Sequence, residues 1–170
     1  LAELAKANPK VDQFPGQPYR IAAGLVRALV PRLVITCGEA DPSLTTVVKK
    51  QLESGGKLLS LDLADPATVA AQKSVVETAE LILLPGRATP AVAQAIVDNL
   101  RTIDFETPPL LLLQETKRFE MVGWWRKLAM PKIDLTTFGH WAGTGLIELV
   151  ATVPAGRTSS PPPQQLQQKT

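Results

Sequence analysis

Three prolines set the frame of this chain. Pro42, Pro66 and Pro90 stand at a constant interval of 24 residues, and each follows a residue able to cap a helix: Asp41, Asp65 or Thr89. A proline lacks the N–H that the first helical position leaves unpaired anyway, and an oxygen-bearing side chain before it accepts from the free amides that follow. The three dipeptides therefore read as helix starts. Each is preceded by a short apolar run, within 33–37, 57–63 and 80–84. The interval is that of strand-plus-helix units, too short and too weak in side-chain identity for a solenoid, and it predicts a mostly parallel sheet covered by helices on both faces.

The opening unit, RLVITCGEADPSLTTVV from Arg32 to Val48, is the clearest. Leu33, Val34 and Ile35 predict a buried strand, Gly38 the turn, and Asp41-Pro42 a helix running to about Glu53, closed by Ser54-Gly55-Gly56. In open α/β sheets the ligand crevice lies outside such a strand end, so this turn is the first place to look for a bound cofactor.

Upstream, Leu1 to Ala7 predicts a short amphipathic helix ended by Asn8-Pro9. Ile21, Leu25, Val26, Leu29 and Val30 recur at helical spacing between Pro18 and Pro31. Downstream, Lys57 to Leu63 reads as the second strand with Asp62 near its end, and the helix from Pro66 runs to about Thr78. Glu80 to Leu84 is the third strand, and Val92, Ile96, Val97 and Leu100 mark the helix from Pro90. Leu110 to Leu113, four leucines after Pro108-Pro109, fits a strand buried on both faces. A helix bearing Phe119, Val122, Trp125 and Leu128 ends near Pro131. Ile133 to Phe138 and Thr144 to Val153 then read as a hairpin on the sheet edge. Residues 1–153 form the predicted domain. The remainder, 154–170, is rich in Pro, Gln and Ser and reads as a disordered tail or linker.

A chain of 170 residues is long enough to bury a core of its own. With 18 Lys and Arg against 16 Asp and Glu, the charge balance argues against a dedicated nucleic-acid surface. No apolar run approaches a membrane span and the N-terminus lacks a signal-peptide layout, so the expectation is a soluble cytoplasmic protein. The first residue is Leu1 rather than Met, which is consistent with a piece of a longer polypeptide. Cys37, the single cysteine, reads as a packed thiol in a reducing compartment, with a nucleophile as the alternative.

The last third carries a resemblance. Gln114-Glu115-Thr116, then Trp124-Trp125-Arg126-Lys127-Leu128, then PKIDLTTFGHWAGTGLIEL together resemble class I S-adenosylmethionine-dependent methyltransferases. More narrowly they are similar to bacterial cephalosporin-hydroxylase-like and small-molecule or sugar O-methyltransferases. The turn Gly139-His140-Trp141-Ala142-Gly143-Thr144-Gly145 is the most specific match. The resemblance implies a Rossmann-like sheet with a C-terminal antiparallel hairpin and S-adenosylmethionine as cofactor. It assigns Gly38, Glu39 and Asp62 to cofactor binding, Asp62 as acceptor for the ribose hydroxyls. Only one helix fits between Asp62 and Leu81, so one of the usual seven strands is expected to be missing. Thr36 stands where the family has an acid, and Pro85-Gly86-Arg87 where it has acidic, often metal-linked residues. Glu115 alone cannot make an octahedral site, so no metal is expected.

His140, the only histidine, is a candidate general base, the alternative being that it serves the backbone of its turn. Glu115 is the second candidate for taking a hydroxyl proton. The three tryptophans fit either core packing or stacking on a ligand, and Arg87, Lys117 and Arg118 either solvated loops or an anionic substrate. The implied activity is methyl transfer to a hydroxyl of a small molecule or sugar. The alternative is an inactive methyltransferase-like module that binds a protein partner or a second copy of itself. A nicotinamide or flavin enzyme is disfavoured, because no G-x-G-x-x-G follows the first strand.

Overall fold

A computed structural model describes residues 18–38, 42–52, 55–84, 86–136 and 142–150. In chain order the elements are α1 (Pro18–Leu29), β1 (Leu33–Cys37), α2 (Pro42–Gln51), β2 (Lys57–Leu61), α3 (Pro66–Ala71) and α4 (Lys73–Val76). They continue with β3 (Leu81–Leu84), α5 (Pro90–Leu100), β4 (Leu110–Gln114), α6 (Phe119–Lys127), β5 (Lys132–Asp134) and β6 (Thr144–Glu148). The six strands form one sheet in the order β2-β1-β3-β4-β6-β5. β2, β1, β3 and β4 are mutually parallel, and β6 and β5 are added antiparallel to their neighbours. The sheet is thus the expected mostly parallel one with a C-terminal antiparallel hairpin. A single segment of two short helices fills the space between Asp62 and Leu81, where a further strand was expected to be missing.

Period-two alternation splits the strand residues between two cores. Val34, Leu81, Leu83 and Leu112 face α1 and α2, meeting Ala22, Val26, Leu44 and Val48. Leu33, Ile35, Ile82, Leu84, Leu111 and Leu113 face the other way, onto Val69, Val76, Ile96, Val97, Met121 and Trp125. All five residues of β1 and all four of β3 are buried, as continuous apolar runs in the middle of a parallel sheet require. A right-handed crossover that moves one way from β1 puts α2 on one face. The next, moving back past β1 to β3, puts α3 and α4 on the other. The order therefore reverses at β1, and the gap between the ends of β1 and β3 is the switch point of the sheet.

The prolines act as predicted. Asp65 caps α3, its carboxylate accepting from the N–H groups of Ala67 (3.1 Å) and Thr68 (3.0 Å). The Thr68 hydroxyl and those two amides hold its pKa below the usual carboxylate value. Thr89 caps α5 by accepting from Val92 N–H at 3.3 Å. The proposed cap Asp41 lies outside the described residues.

Boundaries differ where local hydrogen bonding intervenes. β2 ends at Leu61 rather than Leu63, because Leu63 N–H turns back to Leu61 C=O at 3.1 Å and its side chain enters the core. The helix after Pro66 breaks at Gln72 into α3 and α4. β5 stops at Asp134, whose carboxylate bonds the N–H and hydroxyl of Thr136 and so closes a turn. Leu29 and Val30 are largely exposed, and the buried stripe of α1 instead runs through Ala22, Ala23 and Val26. The expected first helix at 1–7 and the tail at 154–170 lie outside the described residues.

Candidate functional site

β1 and β2 deliver two of the predicted residues to one place. Gly38 follows β1 with φ 70°, the left-handed region that favours glycine. Its N–H donates to Leu61 C=O (2.9 Å) and its C=O accepts from the Ser60 hydroxyl (2.6 Å), tying the two strand ends together. A Cβ added at Gly38 would meet no atom within 4 Å, so space opens directly beside this backbone. Asp62 follows β2 and is exposed. One carboxylate oxygen accepts Ala64 N–H at 3.1 Å, and no bond to its other oxygen is formed among the described residues.

The opposite wall is the loop after β3, and residues at and just beyond the end of β4 hold it. Gly86 N–H donates to Gln114 Oε1 (3.2 Å) and Arg87 N–H to Glu115 Oε2 (3.0 Å). Arg118 completes the clamp, with Nη1 on Glu115 Oε2 at 3.0 Å and Nη2 on Ala88 C=O at 2.5 Å. A Cβ at Gly86 would come 2.6 Å from the Glu115 carboxylate and would displace it from the clamp. Arg87 (φ 76°) and Glu115 (φ 61°) both hold left-handed backbone without being glycine, a cost of about 1–2 kcal/mol each.

Between these walls lies a crevice of about 340 Å³, at the switch point, lined by Cys37, Gly38, Asp62, Leu84, Arg87 and Val92 among others. A larger cavity, about 470 Å³, sits at the other end of the sheet, lined by Glu77, Glu80, Asp104, Glu106 and Arg32. It opens at the amino ends of the strands, and there the Arg32 backbone N–H donates to the Glu80 carboxylate while its guanidinium lies 3.9 Å from the other carboxylate oxygen. The smaller crevice is the functional candidate, because open α/β sheets present their loops and free helix amides to ligands at the carboxyl ends.

Gly38 and Asp62 thus share a site, and Glu115 stands at the far side of its wall with its carboxylate engaged. Glu39 and His140 lie outside the described residues. Cys37 is the packed thiol of the first reading: burial, with help from the Asp62 charge, pushes its pKa up to about 12, leaving it neutral and a poor nucleophile. Thr36 is fully buried, its hydroxyl 3.4 Å from Leu59 C=O. Trp125 belongs to the core, with the Lys132 ammonium 5.3 Å from its ring centroid. Trp124 is partly buried and donates to Gln94 Oε1 at 2.8 Å, and Trp141 lies outside the described residues. Lys117 pairs with Asp134, and Arg118 with Glu115 and Glu120. Arg87 alone of the three loop cations has no side-chain partner among the described residues.

The clamp of Gln114, Glu115 and Arg118 on the β3 loop escaped sequence reasoning. Its only local trace is the i,i+3 spacing of Glu115 and Arg118, which carries no information about a loop 28 residues away. Among the described residues no cluster of three or more His, Cys, Asp or Glu is placed to hold a metal, and no helix is long and apolar enough to cross a membrane.

No family model matches the chain, and no curated protein matches it significantly in sequence. Solved structures do resemble it. A methyltransferase from Geobacter sulfurreducens superposes with a TM-score of 0.55 at 12% identity, over 88% of both chains. Cofactor-bound Rv0187 from MTB superposes with a TM-score of 0.51 at 11% identity, over 79% of this chain and 80% of its own. At such identities the likeness is one of fold. With the reversed strand order and the antiparallel hairpin, it gives this chain the fold of the class I methyltransferases.

Proposed function

We propose that the chain binds S-adenosylmethionine in the crevice between β1, β2 and the β3 loop, and transfers its methyl group to a hydroxyl of a small molecule or sugar. The observation that carries this reading is the meeting of Gly38 and Asp62 at the switch point of a methyltransferase fold. The residues fit the group. The Asp62 oxygen that has no partner among the described residues can accept from a ribose hydroxyl, and the space beside Gly38 admits a ligand to the backbone. Leu84, Val92 and Ile96 supply an apolar wall. When bound, the cofactor supplies an electrophilic methyl carbon on a sulfonium, and the protein's share is alignment and exclusion of water.

Within that division of labour, Glu115 and Arg118 position the loop that walls the crevice. The Glu115 carboxylate is engaged by the Arg87 N–H and the Arg118 guanidinium, and His140 is the other candidate for taking the hydroxyl proton. The same engagement of Glu115, together with the buried Thr36 at the end of β1, favours a second reading: an inactive module that retains the fold for protein assembly.

Calorimetric titration of S-adenosylhomocysteine separates the two. The cofactor reading expects micromolar binding that Asp62→Ala weakens at least tenfold, with a matching thermal stabilisation of the wild type. Absence of heat and of any thermal shift up to millimolar ligand would overturn it and leave the assembly module.

A further inference from the structure

Arg87 combines three features. It lines the crevice, its guanidinium has no partner among the described residues, and its backbone is held at φ 76°. Lys117 and Arg118, its neighbours at the strand ends, are both consumed by acidic side chains. The loop that carries Arg87 is fixed on both sides: Gly86 N–H and its own N–H are bonded to the end of β4, and Ala88 C=O is bonded to Arg118. The pinned backbone fixes where the exposed Arg87 side chain begins, so only the side chain itself has to be ordered when an anion meets it. Left-handed backbone in a residue other than glycine persists only where surrounding contacts impose it, and such positions gather at ligand clamps.

The other walls define what such an anion would belong to. Asp62 stands on the β2 side and repels negative charge, while Leu84, Val92, Ile96 and the neutral Cys37 thiol lie between it and the loop. A molecule filling this space presents hydroxyl donors to Asp62, an apolar body to the middle and a negative group to Arg87. We infer that Arg87 is the anion-holding residue of the crevice, its guanidinium taking a carboxylate or phosphate of the molecule bound there. Two sources carry that chemistry: the carboxylate on the amino-acid end of the cofactor, or an acidic group on the methyl acceptor. Only the first of these rests on the cofactor reading.

The test uses Arg87→Gly, which removes the guanidinium while relieving the left-handed strain and so leaves folding intact, and Arg87→Lys, which restores a charge without the planar fork. Wild type and both variants are titrated calorimetrically with S-adenosylhomocysteine, with 5′-methylthioadenosine, which lacks the amino-acid end, and with inorganic phosphate. A cofactor-borne anion predicts that Arg87→Gly loses at least tenfold in affinity for S-adenosylhomocysteine and less than twofold for 5′-methylthioadenosine, with Arg87→Lys between. An acceptor-borne anion predicts unchanged affinity for both nucleosides, and weak phosphate binding by the wild type that Arg87→Gly abolishes. Phosphate binding lost in Arg87→Gly, in a protein that ignores both nucleosides, would sustain Arg87 and sink the cofactor reading. Equal affinities of wild type and Arg87→Gly for S-adenosylhomocysteine and phosphate would overturn the inference while leaving cofactor binding in place. A wild type that binds none of the three probes would overturn both.

Discussion

The backbone N–H of Arg87 donates to the carboxylate of Glu115 at 3.0 Å, and both residues hold left-handed backbone, φ 76° and 61°. Two costly conformations, in the loops that follow the adjacent parallel strands β3 and β4, are thus linked to each other. With the bonds from Gly86 to Gln114 and from Arg118 to Ala88, that link sets the position of the β3 loop relative to Gly38 and Asp62, so the shape of the crevice depends on residues at the end of a different strand.

Weakening this link should loosen the wall without dismantling the sheet. Glu115→Gln keeps the volume but removes the carboxylate charge, turning the ion pair with Arg118 into an ion–dipole contact and the Arg87 N–H bond into a neutral one, and is expected to cost about 1–2 kcal/mol. Arg118→Met should cost a similar amount. Because both variants break one network, the double variant should fall short of the sum by more than about 0.5 kcal/mol. Urea unfolding of the four proteins measures the coupling, and additive losses would mean that the Glu115–Arg118 pair (3.0 Å) does not bear on the loop.

Cys37 should behave as an inert, pH-sensitive core group. Its thiol is driven up to about 12 by burial, assisted by the Asp62 charge, against 9.0 for the free group. An acid whose folded pKa is raised binds its proton more tightly when folded, so the unfolded chain ionises first and stability falls as pH rises from about 9 towards 12. The slope for this one group is about 1.4 kcal/mol per pH unit. Urea midpoints measured between pH 8 and 10.5 should decline more steeply for the wild type than for Cys37→Ala. At pH 8 the native protein should resist a thiol reagent that labels the urea-unfolded protein at once.

How far these features were legible in the sequence follows from the range of the forces involved. The helix starts at Pro66 and Pro90 and the buried runs of β1, β3 and β4 depend on neighbours in sequence, and they stand where the pattern puts them. The missing strand was legible too, because a chain segment of fixed length can hold only so much structure. That Gly38 and Asp62 stand at neighbouring strand ends was legible because each directly follows a strand. The clamp from Gln114, Glu115 and Arg118 was not, since its geometry exists only once β3 and β4 are paired, Leu84 beside Leu113. The end of β5 was misjudged for a related reason: Asp134 is the last paired residue, its carboxylate draws Thr136 into a turn, and β propensity alone does not register that competition.

Asp134 offers a prediction at the acid end. Burial would raise its carboxyl, but the Lys117 ammonium and the hydroxyl and N–H of Thr136 outweigh it and hold the pKa at about 2, against 3.8 for the free group. A depressed folded pKa gives stability that is present above the unfolded value and lost as pH falls from about 4 through 2. Both side chains are about 40% exposed, so solvent screening limits the gain to under about 1 kcal/mol. Carboxyl titration by NMR should show Asp134 rising by about one unit in Lys117→Ala. An unmoved midpoint would place the control with Thr136 alone.

Two glycines of β6 and its approach test whether the hairpin packs as tightly as its sequence pattern suggests. Gly145 pairs with Leu113 on one side and Asp134 on the other, and a Cβ there would lie 2.5 Å from the Trp125 ring. That ring has little room to retreat: it is buried in the core, and Lys132 both covers it and donates to the Trp125 carbonyl at 2.6 Å. Gly145→Ala is therefore an overpacking change, expected to cost about 1–3 kcal/mol. Gly143 is the harsher case. It holds φ 99°, and its Cβ would strike the backbone N of Lys117, whose N–H is bonded to Ala142 C=O at 2.7 Å. Backbone cannot swing aside as a side chain can, so Gly143→Ala should cost more than Gly145→Ala, by about 1 kcal/mol or more from the left-handed strain alone. The order can be checked by pairing each variant with Trp125→Phe, which removes the outer ring atoms nearest the new methyl. The smaller ring should recover part of the loss in Gly145→Ala and none of it in Gly143→Ala. Equal recovery in both would mean that the indole does not set the closeness of β6 to α6.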